Sequence, residues 1–216
     1  MSNVEVWAVW PTIHISKTNL MIRIWQERGY KVAVLVNPPH DHMDFPEADR
    51  VIVQAAWRGF PVAANILCRE APGDVVAVVG DDVYPDPHAT AQEIGEWFEE
   101  KFPDGNGVMQ PTGDVFGWTH KCAVSPWIGR TFIQKAYTNR GPYWEGYFHY
   151  FSDQELQEYA TEMGVFVQRE DLTQFHDHWQ RKENPKRPEH LMEAGTKHSV
   201  DKLLFDKRKK EGWPCQ

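Results

Sequence analysis

Cysteine is scarce in this chain. Cys68, Cys122 and Cys215 are widely spaced and form no Cys-x-x-Cys pair, which argues against both a disulfide framework and a thiolate zinc site. No apolar run approaches the roughly eighteen residues that a membrane helix requires, and no charged-then-apolar leader opens the sequence. A cytoplasmic protein without a membrane span is the expectation. Gly-x-x-x-x-Gly-Lys and Gly-x-Gly-x-x-Gly are both absent, so neither a P-loop nor a dinucleotide fingerprint is present. There is no internal repeat.

The composition, 41% hydrophobic and 25% charged over 216 residues, is that of one globular domain with a sizeable core. Charge is unevenly spread. Arg181 to Gln216 carry 10 Lys/Arg against 6 Asp/Glu, leaving 13 against 25 for residues 1–180: +4 after −12, the stated −8. An acidic body with a basic tail results. Lys207-Arg208-Lys209-Lys210 could hold a diphosphate, contact nucleic acid or touch an anionic membrane, or simply be the solvated face of a terminal helix. Leu203-Leu204-Phe205 suggests that the tail docks on the body, so that truncation after Asn184 should leave a folded protein with weakened binding.

Val4 to Trp10 reads as a strand, and Ser16 or Thr18 can cap a helical pattern from Asn19 to Arg28 that Gly29 ends. Lys31 to Val36 is a second, buried strand, after which Asn37-Pro38-Pro39 drives the chain out of the sheet. Arg50 to Gln54 is a third strand, Pro61 to Ala71 a helix, Val75 to Val79 a fourth strand, and Asp86-Pro87 starts a helix reaching Phe102. The first half is therefore an alternating α/β unit.

Val75 to Val79 run straight into Asp81-Asp82, where ligands of open α/β sheets bind, beyond the carboxyl end of a strand. Adjacent carboxylates repel unless a cation or hydrogen bonds compensate, and a divalent ion carrying a phosphorylated substrate would do so. The plainer reading is a solvated strand-to-loop transition. Past Gln110-Pro111 the elements shorten, and Trp118, Trp127, Tyr143, Trp144, Tyr147, Phe148, Tyr150 and Phe151 crowd together. Most of these rings suit packing, with one or two left for stacking on a sugar or base. Ser152 looks like the cap of a helix to Met163 carrying Asp153 and Glu155 in its first turn, and His176-Asp177-His178 offers two imidazoles after a strand from Val165 to Gln168. His40-Asp41-His42 lies in the loop after strand two, as a base or ribose contact at most.

Gly59, Asn65, Ala71, Gly73, Asp74 and Asp82 fall in the register of a known pattern. It resembles the nucleotide-sugar half of the inverting family 2 glycosyltransferases of the GT-A fold, over about residues 4 to 180 and most closely from Gly59 to Asp82, in the manner of a compact phage-type member. Three positions depart from it: Gly80 stands for the first Asp of the Asp-x-Asp motif, Ala64 for a frequent Arg, and Ser152 for the common Glu before Asp153. The resemblance implies a mixed α/β sheet flanked by helices, with residues 1–110 as the nucleotide-sugar half, 111–180 as the acceptor half and 181–216 as the extension.

It further implies a metal-dependent transfer of a sugar from a nucleoside diphosphate sugar to an acceptor hydroxyl, with inversion. Asp82 would bind Mn²⁺ or Mg²⁺ with His176 or His178, the choice depending on strand register, and Asp81 would assist. Pro11-Thr12 resembles the family's Pro-Thr turn, and with Asn37 and Asn65 would bind the donor. Asp153 would be the general base, with Glu155 in reserve. The acceptor is open among DNA, glycan, small molecule and protein side chain, although an acidic body disfavours duplex binding. The rival readings are a nucleotidyltransferase of related fold, which usually has a Gly-rich basic loop absent from Val9 to Lys17, and a non-catalytic carbohydrate-binding protein, which leaves Asp81, Asp82 and Asp153 without a task.

Overall fold

The computed structural model describes residues 4–116 and 122–214; Trp118 and Cys215 lie outside them. The first half builds β1 (Val6–Pro11), α1 (Ile15–Glu27), β2 (Lys31–Val36), β3 (Arg50–Val53), α2 (Phe60–Glu70), β4 (Val75–Val78), β5 (Val83–Tyr84) and α3 (Ala91–Lys101). The second adds β6 (Val108–Pro111), β7 (Trp127–Gly129), α4 (Arg130–Lys135), α5 (Ser152–Glu162), β8 (Phe166–Arg169), β9 (Phe175–His176) and α6 (His190–Lys210). Seven strands form one sheet in the order β3-β2-β1-β4-β7-β6-β8, and β5 pairs with β9 in a separate ribbon.

β1 to β4 are mutually parallel, β7 is antiparallel to β4 and β6, and β8 is parallel to β6. All strands except β7 therefore end at one edge. Side chains of a strand alternate between faces: Val6, Ala8 and Trp10 pack with Met21, Trp25, Ile94 and Phe98 of α1 and α3, whereas Trp7 and Val9 pack with Ala63, Leu67, Phe132 and Leu156 of α2, α4 and α5. Both faces are covered, which is why these strands read as continuous apolar runs. The mixed sheet flanked by helices that the sequence implied is present, as a Rossmann-like arrangement of the GT-A type.

Three helix starts differ from expectation. α1 begins at Ile15, without a side-chain cap, because the Thr18 hydroxyl pairs with that of Thr12 at 2.6 Å. α3 begins only at Ala91, where Thr90 and Glu93 form a capping box; Asp86 instead accepts from the backbone of His88, Ala89 and Thr173. Ser152 is the first residue of α5 and not its cap, a place taken by Phe151 in the left-handed region at φ 69°.

The C-terminal extension is largely one helix, and it is docked. Phe205 and Trp213 close a small core with Tyr147, while the buried Asp201 carboxylate accepts the backbone N–H groups of Phe148, His149 and Tyr150. α6 thereby fixes the aromatic loop that precedes Asp153.

Candidate functional site at the carboxyl edge of the sheet

Thr12 follows β1, Asn37 follows β2, and Asp81 and Asp82 follow β4, so the parallel strands deliver all four to the same edge. Thr12 is fixed first. Its backbone N–H donates to Leu35 at 2.9 Å and its hydroxyl accepts from the His14 N–H at 3.0 Å. The same hydroxyl donates to Asp81 Oδ2 at 3.2 Å, and Lys17, in the first turn of α1, places Nζ 3.1 Å from Asp81 Oδ1 and 3.9 Å from Asp82 Oδ2.

Asp82 is set by the β5–β9 ribbon. Val83 pairs with His176 and Tyr84 with Phe175, and the Asp177 N–H donates to the Asp82 carbonyl at 2.8 Å. That register brings His176 Nε2 to 3.2 Å from Asp82 Oδ1. Burial pushes the Asp82 pKa up, but the His176 contact together with the charges of His176, Lys17 and His178 outweighs it and holds the carboxyl below its ordinary range. At Gly80, which stands for the first Asp of the motif, a Cβ would lie 2.6 Å from Asp82 Oδ1 and would shift that carboxylate.

His178 stands one step away. Its ring centroid is 5.0 Å from that of His176 and 5.9 Å from that of Phe116, and its Nδ1 accepts from the Gln180 N–H at 3.3 Å. Burial, with His176 and Arg181 nearby, lowers its pKa despite Asp82. Arg181 lies over the Phe116 ring, with 3.9 Å from Cζ to the centroid, and pairs with Asp114. Asp114 also accepts the His176 N–H at 3.0 Å, so the loop after β6 is tied to the histidine segment.

Asp153 opens α5, half-buried. Its Oδ1 accepts from the Gln154 N–H at 3.0 Å and its Oδ2 from Cys122 Sγ at 3.4 Å. Burial and the Asp153 charge push the Cys122 thiol pKa up, which keeps it a neutral donor. Cys122 belongs to the loop joining the end of β6 to the start of β7, and both of these lie at the carboxyl edge. Asp153 therefore shares the end of the sheet that carries Asp81 and Asp82.

Two expected site residues face elsewhere. Asn65 is fully buried, its amide donating to the Tyr143 carbonyl at 2.8 Å and accepting the Tyr143 N–H at 3.0 Å; it ties α2 to the second half. Glu155 is fully buried, its oxygens held by Arg208 Nε and Nη2 and by the Tyr147 hydroxyl, leaving no access for an acceptor. Asn37 donates to the neighbouring Pro38 carbonyl at 2.9 Å, and Pro11 closes β1 beside Leu35. Gly59 caps α2 at φ 100°, where a Cβ would lie 2.4 Å from the Phe148 carbonyl oxygen. This glycine lets the aromatic loop seat on α2.

Lys17, Asp114, Arg181 and Cys122 were not anticipated. Lys17 had a usable signal: with α1 starting at Ile15 it falls in the first helical turn, directly above the edge. The other three depend on loop paths that leave no local trace.

The donor set suits a small hard cation in one respect. Asp82 Oδ1 and His176 Nε2 are 3.2 Å apart, a hydrogen-bonding distance close to the roughly 3.0 Å between adjacent ligands of one octahedral ion with bonds of about 2.1 Å. Among the described residues no group of three His, Cys, Asp or Glu side chains could hold a metal ion. These two groups would thus need substrate oxygens to complete a sphere.

No family model matches the sequence, and no curated protein does. Among solved structures, a mannosyltransferase from Pyrobaculum calidifontis in complex with GDP-Man and Mn²⁺ is similar at a TM-score of 0.57 and 13% identity, over 79% of this chain and 56% of that one. The chain thus spans little more than half the length of that structure. A putative glucose-1-phosphate thymidylyltransferase from Bacillus anthracis aligns at 0.45 and 12% identity over 76% and 85% of the two chains, and HddC from Yersinia pseudotuberculosis at 0.35 and 10% over 50% and 57%; both are too distant to carry an argument. The likeness is one of fold alone. Among the described residues no helix is long and apolar enough to cross a membrane.

Proposed function

We infer that this chain is a cytoplasmic glycosyltransferase that moves a sugar from a nucleoside diphosphate sugar to an acceptor hydroxyl with inversion. The observation that carries this reading is the pairing of Asp82 with His176 at the end of β4, beside Asp81 held by Thr12 and Lys17. The uncapped start of α1 at the same edge adds backbone N–H groups that favour a phosphate.

Asp82 and His176 would hold Mn²⁺ or Mg²⁺. When bound, the ion offsets charge developing on the departing diphosphate. Thr12 orients Asp81, and Lys17 supplies a positive charge beside both carboxylates. Asp153 takes the proton of the acceptor hydroxyl as its oxygen forms the new bond at the anomeric carbon and the sugar–phosphate bond breaks. The pair of electrons leaves with the nucleoside diphosphate. The aromatic loop, seated by Gly59 and Asp201, forms the wall on the acceptor side.

Calorimetric titration with nucleoside diphosphates tests the donor site: binding should require Mn²⁺ or Mg²⁺ and weaken sharply in Asp82→Ala. Tight binding that ignores a chelator would remove the metal role. Product analysis with a panel of sugar donors separates the rivals, because glycosyl transfer releases nucleoside diphosphate, nucleotidyl transfer releases pyrophosphate, and a carbohydrate-binding protein releases neither.

A further inference from the structure

Lys17 is the cation already present at the acidic pair. Its Nζ lies 3.1 Å from Asp81 Oδ1 and 3.9 Å from Asp82 Oδ2, on a side chain that keeps 41% of its surface exposed. The carboxylates are the fixed partners: Asp81 is anchored by Thr12, itself tied to Thr18 and to β2, and the Asp82 carboxylate by His176, while the Asp82 backbone carbonyl accepts the Asp177 N–H. The ammonium is the movable one, at the end of a flexible four-carbon stem in the first turn of α1. An ammonium and a divalent ion compete for the same carboxylate charge, and the half-exposed ammonium is the member of the pair that solvent can reach.

We propose that Lys17 is the diphosphate-binding residue of this site, parked on Asp81 and Asp82 until a nucleoside diphosphate arrives and then transferred to its phosphate oxygens. The assignment rests on the donor-site reading and deepens it. Lys17 can move to the diphosphate only if the carboxylates receive another cation, so the site takes nucleotide and divalent ion together and either one alone poorly. That is positive coupling between two ligands, and it is reciprocal.

Calorimetry with MnCl₂ alone, and with a panel of nucleoside diphosphates at saturating MnCl₂, tests this in wild type, Lys17→Met and Lys17→Arg. Lys17→Met should bind Mn²⁺ alone more tightly, because its competitor is gone, and the nucleoside diphosphate about tenfold more weakly, the scale of one charged hydrogen bond. Lys17→Arg should restore nucleotide binding. A merely structural lysine would not move the two affinities in opposite directions. If wild type binds a nucleoside diphosphate and Lys17→Met binds it equally well, or binds Mn²⁺ more weakly than wild type, the assignment falls while the donor site stands. If wild type binds none at any metal concentration, the donor-site reading falls and Lys17 with it.

Discussion

Arg208 of α6 and Glu155 of α5 form an ion pair inside the protein, with Nη2 2.6 Å from Oε1 and side chains 3% and 0% exposed. Arg208 Cζ lies 3.7 Å from the centre of the Trp144 ring, and its Nη1 donates to the Pro214 carbonyl at 2.8 Å. A charge at such a place needs all its partners, since an unpaired buried ion is strongly disfavoured. The C-terminal helix therefore completes the domain interior.

Removing one member of the pair should cost far more than removing both. Arg208→Met is expected to destabilise the fold by about 3–5 kcal/mol, the scale for stranding a buried partner. Arg208→Met with Glu155→Gln should recover much of that loss. Urea denaturation of the single and double variants checks this. Truncation after Asn184 removes Arg208, Phe205 and Trp213 together, so the sequence-based expectation of a folded, truncated protein is replaced by one of lost cooperative unfolding.

Asp153 is the group whose removal should separate binding from chemistry. A general base acts in the transition state and contributes little to holding the donor. Asp153→Asn should keep the affinity for a nucleoside diphosphate within a few-fold and lose roughly two to four orders of magnitude in transfer rate. Single-turnover kinetics with an active donor and acceptor pair provide the measurement. A near wild-type rate would take the base role away from this residue.

The first half of the fold was legible because its signals are local. β2 runs from Lys31 to Val36 as read, and β1, β3, α2 and β4 agree within two residues at either end, since buried β-branched runs and Gly or Pro boundaries act over short distances. Where the reading failed, a tertiary bond won. Thr18 looks like a cap but its hydroxyl pairs with Thr12, and Asp86 looks like a helix start but its carboxylate reaches Thr173 across 87 positions. The choice between His176 and His178 depended on pairing of two-residue strands, β5 and β9, too short to carry a periodic pattern. Asn65 matched a motif position, yet its side chain faces Tyr143, because a motif fixes where a residue sits and not which way it points.

Acid should loosen the sheet at the start of β2. Burial pushes the Asp49 pKa up, but the Val32 N–H at 2.9 Å, Lys31 at 3.0 Å and Gln26 at 3.1 Å outweigh it and leave the pKa lowered. A depressed folded-state pKa means that this stabilisation is fully present above the unfolded value and is lost as pH falls through the folded one. Stability should thus decline below the ordinary carboxylate range, and Asp49→Asn should flatten that decline while costing about 1–2 kcal/mol at neutral pH. Thermal unfolding of both proteins across pH 3 to about 7 gives the two curves.

The basic run that ends α6 can be judged as a DNA contact from the charge it leaves in solvent. Of its last four basic residues, Arg208 is buried on Glu155 and Lys209 pairs with Glu158 at 2.7 Å, leaving Lys207 and Lys210 exposed on an acidic body. Two lysines neutralise about two phosphates, which sets a logarithmic salt slope near −2; between about 50 and 200 mM salt, affinity should then fall only about tenfold, against about a thousandfold or more for a dedicated duplex binder. An electrophoretic shift assay with single- and double-stranded DNA at the two salt concentrations, comparing wild type with Lys207→Gln/Lys210→Gln, is the direct test. Weak binding with the shallow slope, reduced further in the variant, is the expected result. A steep slope would show that a phosphate-binding surface lies elsewhere on the protein and would return DNA to the front of the acceptor list.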